Sequence, residues 1–175
     1  MHFQSTQFEG VWLISLEPAR DERGFFARTF CADEFGARGL ETTYPQHSIS
    51  FSSCRGTVRG MHYQRDPHSE VKLVRCLKGA IWDVVVDLRR DAPTYRRWQA
   101  FELSDLNHCQ IYIPKGFAHG FQTLSDDTEV SYVISERYTP AAACGIRHDD
   151  PSIGITWPLP VTEISKKDLQ WREFA

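Results

Sequence analysis

The chain has 175 residues, 41% of them hydrophobic and 25% charged, which suits one domain (1–175) with a substantial core. A net charge of −3 supplies no global basic field, so nucleic acid and anionic membrane surfaces are not expected partners. No apolar run approaches the roughly 20 residues needed to cross a bilayer, and no signal peptide is read at the N-terminus.

The predicted elements are mostly short strands. GVWLISLEPARDERGFFARTF gives a strand near 11–16, a turn around Pro18–Gly24 and a strand near 25–30. CADEFGARGL (31–40) is the best short-helix candidate, although Gly36 counts against it. Further β segments are QHSISFS, TVRGMHYQ, VKLVRCLKG, AIWDVVVDLR, WQAFELS, CQIYIP, HGFQTLS and EVSYVISERY. Turn signals separate them: DPHSE, Lys78-Gly79, DAPTY, DLNH, PKG and SDD. The stretch TEISKKDLQWREFA forms either one helical turn with Ser165 as N-cap or a tail lying across the sheets. Many short strands with regular punctuation predict an all-β closed or double-sheet fold. The five cysteines form no CxxC pair and no zinc-finger spacing, so reduced thiols in a cytoplasmic protein are expected.

One segment, GTVRGMHYQ (56–64), places arginine, histidine and glutamine in an apparent strand. Residues two apart share a face, so Gly60, His62 and Gln64 point one way and Met61 and Tyr63 the other. Such a polar row either lines a wet, ligand-sized cavity or marks an edge strand with a solvated face. A second polar cluster, IPKGFAHGF (113–121), turns at Pro114 and Gly116 and brings in His119. The patterns G-x5-H at 56–62 and P-x-G-x2-H at 114–119 have the spacing of the two cupin motifs.

Together with RGFFARTF, VKLVRCLKGAIWDVVVDLR, PTYRRW, EVSYVISERY, GIRHDDPSIGITWP and ISKKD, these segments resemble the dTDP-4-dehydrorhamnose 3,5-epimerase family from about residue 8 to 168. The resemblance implies a cupin-like jelly roll and a homodimer. It also implies epimerisation, without metal or other cofactor, of a nucleotide-linked 4-keto-6-deoxyhexose. That chemistry needs a base for the α-proton, a stabiliser for the enolate oxygen and an acid on the opposite face.

An imidazole titrates near neutrality, and the resemblance makes His62 the base, oriented by Asp168 of ISKKD. Lys72 shares a strand face with Val74 and Cys76; a lysine turned into a barrel needs an anion, here the oxyanion at O4, with Asp83 as its expected partner. The resemblance gives Tyr132 the acid role; Tyr138, on the same strand face if no bulge intervenes, is expected to line the pocket or stack on the nucleobase. Arg23 and Arg59 are the expected diphosphate ligands, because a planar guanidinium matches phosphate oxygens. Phe26 and Gln46 are expected at the nucleobase and His119 at the sugar.

The chain departs from the family pattern at Ser48, Arg28 and Glu70, where asparagine, glutamate and glutamine are common. These positions are expected in or near the nucleotide half of the site, away from the chemistry. The rival reading is a metal-dependent cupin using His62, His68, Glu70 and His119. Gln64 stands where the second motif histidine would be, and amide oxygen is a poor transition-metal ligand. A non-catalytic sugar-binding cupin and an epimerase acting at C3 or C5 alone are further alternatives. For the dimer, the strand GVWLISL is the expected addition to a partner's sheet edge.

Overall fold

The computed structural model describes residues 1–174. In chain order the elements are β1 (His2–Ser5), β2 (Trp12–Ser15), β3 (Ala19–Asp21), β4 (Gly24–Phe26), α1 (Ala32–Gly36), β5 (Gln46–Ser52), β6 (Val58–Gln64) and β7 (Lys72–Lys78). They continue as β8 (Ala80–Asp87), β9 (Trp98–Ser104), β10 (Cys109–Ile113), β11 (Phe117–Thr123), β12 (Thr128–Ile134), β13 (Ala143–Gly145) and α2 (Lys166–Leu169). A six-stranded sheet has the order β1-β2-β10-β7-β12-β5, and a five-stranded sheet the order β13-β6-β11-β8-β9. Strands β3 and β4 form a separate hairpin.

Alternation along the strands divides the interior in two. Val74, Cys76, Ile111 and Val130 of the larger sheet meet Ile81, Val85, Phe101, Leu103 and Phe121 of the smaller one in a fully apolar layer. Burying a side chain of this size contributes roughly 1.5–3 kcal/mol. Two residues along the same strand faces, the pattern turns polar: Val74 gives way to Lys72, Val130 to Tyr132, and Phe121 to His119. The closed end of the sandwich therefore carries stability and the other end carries the polar groups. Met61 points to the outer face of the smaller sheet, into a second apolar cluster with Val84, Val86, Ala118 and Ile146. His62 and Gln64 of the expected row line a cavity, and Arg59 joins them in place of Gly60, because the β6–β11 register shifts between His119 and Phe121.

Gly60 permits this wall to sit where it does. Its φ is +133°, and a Cβ there would lie 2.6 Å from Gly120 Cα on the neighbouring strand. Both the conformation and the close approach demand glycine.

Most predicted strands are present, with informative exceptions. The predicted strand at 25–30 stops at Phe26, because Phe30 turns in to pack on Phe35 and Tyr44. Phe35, fully buried, also anchors α1 over Leu73 and Tyr112, and Gly36 ends that helix instead of weakening its middle. Strand β13, with the unpromising sequence ACG, exists because β6 offers it an edge. Strand β2 pairs with β1 on one side and β10 on the other, so GVWLISL has no free edge for a partner; the edges of that sheet are β1 and β5. Strand β12 ends at Ile134, which places Tyr138 in the following loop and not on the strand. All five cysteines are free thiols. Among the described residues no helix is long and apolar enough to cross a membrane.

Candidate active site

The polar end opens into a cavity of about 960 Å³. Strand β6 contributes Arg59, His62 and Gln64 to one wall, and β11 contributes His119. From the facing sheet come Gln46, Ser48 and Ser50 of β5, Lys72 of β7 and Tyr132 of β12. The segment 162–171 closes the side next to His62.

His62 and Asp168, separated by more than a hundred positions in sequence, form a direct pair, Nε2 to Oδ1 at 2.6 Å. Helix α2 makes this possible: Ser165 Oγ accepts from the Asp168 backbone N–H and starts the turn, as the N-cap reading predicts. Val58 N donates to Glu163 O and lashes the segment to β6. Burial pushes the Asp168 carboxyl up, but His62, the Gly60 N–H and the Trp171 N–H outweigh it and hold the group below the usual carboxylate range. The side chain of Asp168 is 5% exposed, whereas that of His62 is 43% exposed and open to the cavity. With Nε2 committed to Asp168, Nδ1 is the nitrogen left to accept a proton.

Tyr132 faces this pair from the other sheet, its hydroxyl 3.1 Å from Ser50 Oγ and its ring edge-on to His119. Burial is the main reason its phenol is pushed well above the ordinary value, helped by the nearby Asp83 charge and opposed by the Ser50 hydrogen bond. A phenol so placed keeps its proton until a stronger base forms beside it.

Lys72 corrects the expectation that Asp83 is its partner. Its ammonium bonds Glu70 Oε1 at 2.9 Å and donates to the His62 carbonyl at 3.3 Å, so it spans the gap between the sheets. Asp83 instead lies behind His119, with Oδ2 2.7 Å from Nε2, and its Oδ1 is buried with no hydrogen-bond partner. Burial drives the Asp83 carboxyl upward, and the charge and hydrogen bond of His119 only partly offset this. The sheet pairing explains the exchange of partners: β8 lies beside β11 in the smaller sheet, where Phe121 is opposite Asp83, whereas Lys72 is across the interior.

Glu70, expected in or near the nucleotide half, is held against Lys72 and Gln64, its second oxygen accepting from Gln64 Nε2 at 2.9 Å. Gln64 in turn donates to Arg137 O and accepts from Thr139 N, clipping the loop that carries Tyr138. The usable signal was its position two residues before Lys72, on the same side of an extended chain. On the expectation that Lys72 meets an oxyanion at O4, Glu70→Ala should lower turnover by about 10²-fold, because Lys72 loses the carboxylate that holds it. Glu70→Gln keeps an acceptor for Nζ and should lose far less. Steady-state rates of the two variants check this.

The other predicted residues divide in two. Arg59 lines the cavity, anchored by bonds to Ser52 Oγ and Phe51 O, and Gln46 lines it while accepting from Tyr138 N at 2.8 Å. Tyr138 therefore reaches the cavity from its loop, and Ser48 lines it too. Arg23 and Phe26 are not brought to this cavity. Both sit on the β3–β4 hairpin, Arg23 paired with Asp21 and Phe26 78% exposed, next to a small surface hollow that also holds Arg28. The potential metal ligands do not converge either: His62 is held by Asp168, His119 by Asp83 and Glu70 by Lys72. Among the described residues no group of three or more His, Cys, Asp or Glu side chains is placed to hold a metal ion.

Comparison with known proteins gives the same picture. The family model for dTDP-4-dehydrorhamnose 3,5-epimerase matches residues 5–175. A dTDP-4-dehydrorhamnose 3,5-epimerase of Methanothermobacter thermautotrophicus is 44% identical over 173 residues, covering 97% of this chain and 92% of the relative. The crystal structure of the Bacillus anthracis enzyme of that name, with TDP and pyrophosphate bound, superposes with a TM-score of 0.96 at 36% identity over 99% of both chains. A Legionella pneumophila 3,5-epimerase in complex with dTDP-4-keto-L-rhamnose gives 0.90 at 37% identity, covering 96% of this chain and 89% of that one. The two facing sheets are thus the cupin-like jelly roll of these enzymes. The chain is an epimerase of the dTDP-4-dehydrorhamnose 3,5-epimerase family.

Proposed function

We propose that this protein inverts C3 and C5 of a dTDP-linked 4-keto-6-deoxyhexose by proton transfer between His62 and Tyr132 through an enolate. The observation that carries the mechanism is placement. The His62–Asp168 pair and Tyr132 come from opposite sheets and face one cavity, with Lys72 reaching between them. A ketone at C4 acidifies the hydrogens on C3 and C5. His62 removes one, Lys72 stabilises the charge that moves to O4, and Tyr132 returns a proton to the other ring face. Asp168 stabilises the imidazolium without taking its proton. No step calls for a cofactor or metal. Arg59 with Gln46 and Tyr138 makes the nucleotide end, and His119 with Asp83 behind it bounds the sugar. The TDP and dTDP-sugar ligands of the two relatives support a thymidine diphosphate sugar as substrate.

The test is NMR in deuterated water with dTDP-, CDP-, GDP- and UDP-linked 4-keto-6-deoxy sugars, with and without chelator. Deuterium at both C3 and C5 of the dTDP compound, with inverted product and no effect of chelator, is the expected result. Deuterium at one centre only would assign a mono-epimerase, and activity lost with chelator would return the metal-dependent cupin.

The functional unit in this proposal is a homodimer. Arg23 and Phe26 project from their own chain on an exposed hairpin, and edge strand β5 carries exposed Ile49 and Phe51. A second copy covers such surface and lets the hairpin reach a neighbour's cavity, where a guanidinium and an aromatic ring meet the diphosphate and base. Light scattering at micromolar concentration is expected to give twice the chain mass; a monomer would remove Arg23 and Phe26 from the site.

A further inference from the structure

Trp171 lies three residues beyond the family motif ISKKD, yet it touches the His62–Asp168 pair. Its indole Nε1 donates to Asp168 Oδ1 at 3.2 Å, the same oxygen that meets His62 Nε2. Its ring stands edge-on to the imidazole, with centroids 6.5 Å apart at 70°, and lines the cavity. The seat for this ring is built into β13. Gly145 is directly opposite His62 in the β13–β6 pairing, and a Cβ on Gly145 would lie 2.3 Å from indole Cε2. Any other residue at 145 would expel the indole. Downstream, Phe174 is fixed by its N–H to Asp150 Oδ2 and by its ring against Tyr95, so the segment is held at both ends of Trp171.

We propose that Trp171 is a positioning residue for proton abstraction, the third member of a His62–Asp168–Trp171 relay of hydrogen bonds seated on Gly145. This rests on His62 being the base. An indole N–H is a donor only and never exchanges roles with the carboxylate. It fixes which oxygen of Asp168 meets Nε2, and it lowers that oxygen's appetite for a proton, so the imidazolium keeps the proton it has taken. The ring also excludes water from the buried carboxylate. Other charged groups around this part of the cavity are Arg59 on β6, Glu163 and Lys167 on the C-terminal segment, and Lys72 with Glu70 across from it; Lys167 Nζ lies 5.6 Å over the indole.

Trp171→Phe keeps an aromatic ring on Gly145 and deletes the donor. The exchange rate in deuterated water is expected to fall by about 10- to 100-fold, the effect of one hydrogen bond to a charged group. Asp168 must be ionised to act, and the Trp171 N–H helps hold its carboxyl below the usual range. The loss should appear in kcat with little change in KM. Affinity for dTDP, measured by calorimetry, should be unchanged. Wild-type exchange, or a slower rate carried by KM with kcat intact, overturns the proposal; so does joint loss of rate and dTDP binding, which would assign Trp171 to the fold alone. His62→Asn run alongside separates the two levels: retained exchange there sinks the base assignment itself, whereas lost exchange with a neutral Trp171→Phe sinks only the relay.

Discussion

Replacing His62 with asparagine is expected to abolish proton abstraction at every centre, so that solvent deuterium incorporation and product formation fall together. General-base catalysis is worth about 10²–10⁴-fold, and the drop should lie in that range. Asp168 still accepts from the Gly60 and Trp171 N–H groups, so the carboxylate is not left unpaired and the fold should survive. Binding should be nearly intact, because Arg59, Gln46 and Tyr138 are untouched. The loss should therefore appear in kcat with little change in KM. Parallel rate and dTDP-binding measurements decide it. Retained exchange would mean that another group takes the proton.

Tyr132→Phe is expected to give a different result, and the difference is what assigns the roles. The phenylalanine ring keeps the packing against His119 but leaves Ser50 without its hydroxyl partner. Abstraction by His62 remains possible. The deuteron then returns from the face it left, so C3 and C5 incorporate deuterium with little inversion. The ratio of exchange to inversion should rise by about 10²-fold or more, on the same scale as general-acid catalysis. Deuterium at C3 and C5 followed beside product formation provides the measurement. Inversion at near wild-type rate would remove Tyr132 from the mechanism and make Tyr138, which also lines the cavity, the next residue to test.

These two residues show how unevenly the site could be read in advance. His62 was visible because a polar side chain interrupted a strand whose alternate positions, Met61 and Tyr63, were apolar. The N-cap of α2 was visible for a similar local reason, Ser165 three residues before Asp168. The role of Asp168 could be carried over from the family resemblance, but nothing in ISKKD itself announces that its carboxylate reaches a histidine 106 positions earlier. Trp171 had no signal of either kind. Its part depends on Gly145 being opposite His62, a fact of strand register.

Periodicity is legible along the chain, and with it the all-β architecture, the polar character of β6 and the order of the family motifs. Period-two alternation is a local property: each strand declares which residues share a face before any partner is known. Which faces meet is not local. Packing of the sheets is what holds Lys72 against Glu70 and not Asp83, leaves β2 without a free edge, and keeps Arg23 and Phe26 out of their own chain's cavity. A charged group takes the nearest well-oriented counterion, and the distances that make one carboxylate nearer than another are set by how two sheets pack across an interior.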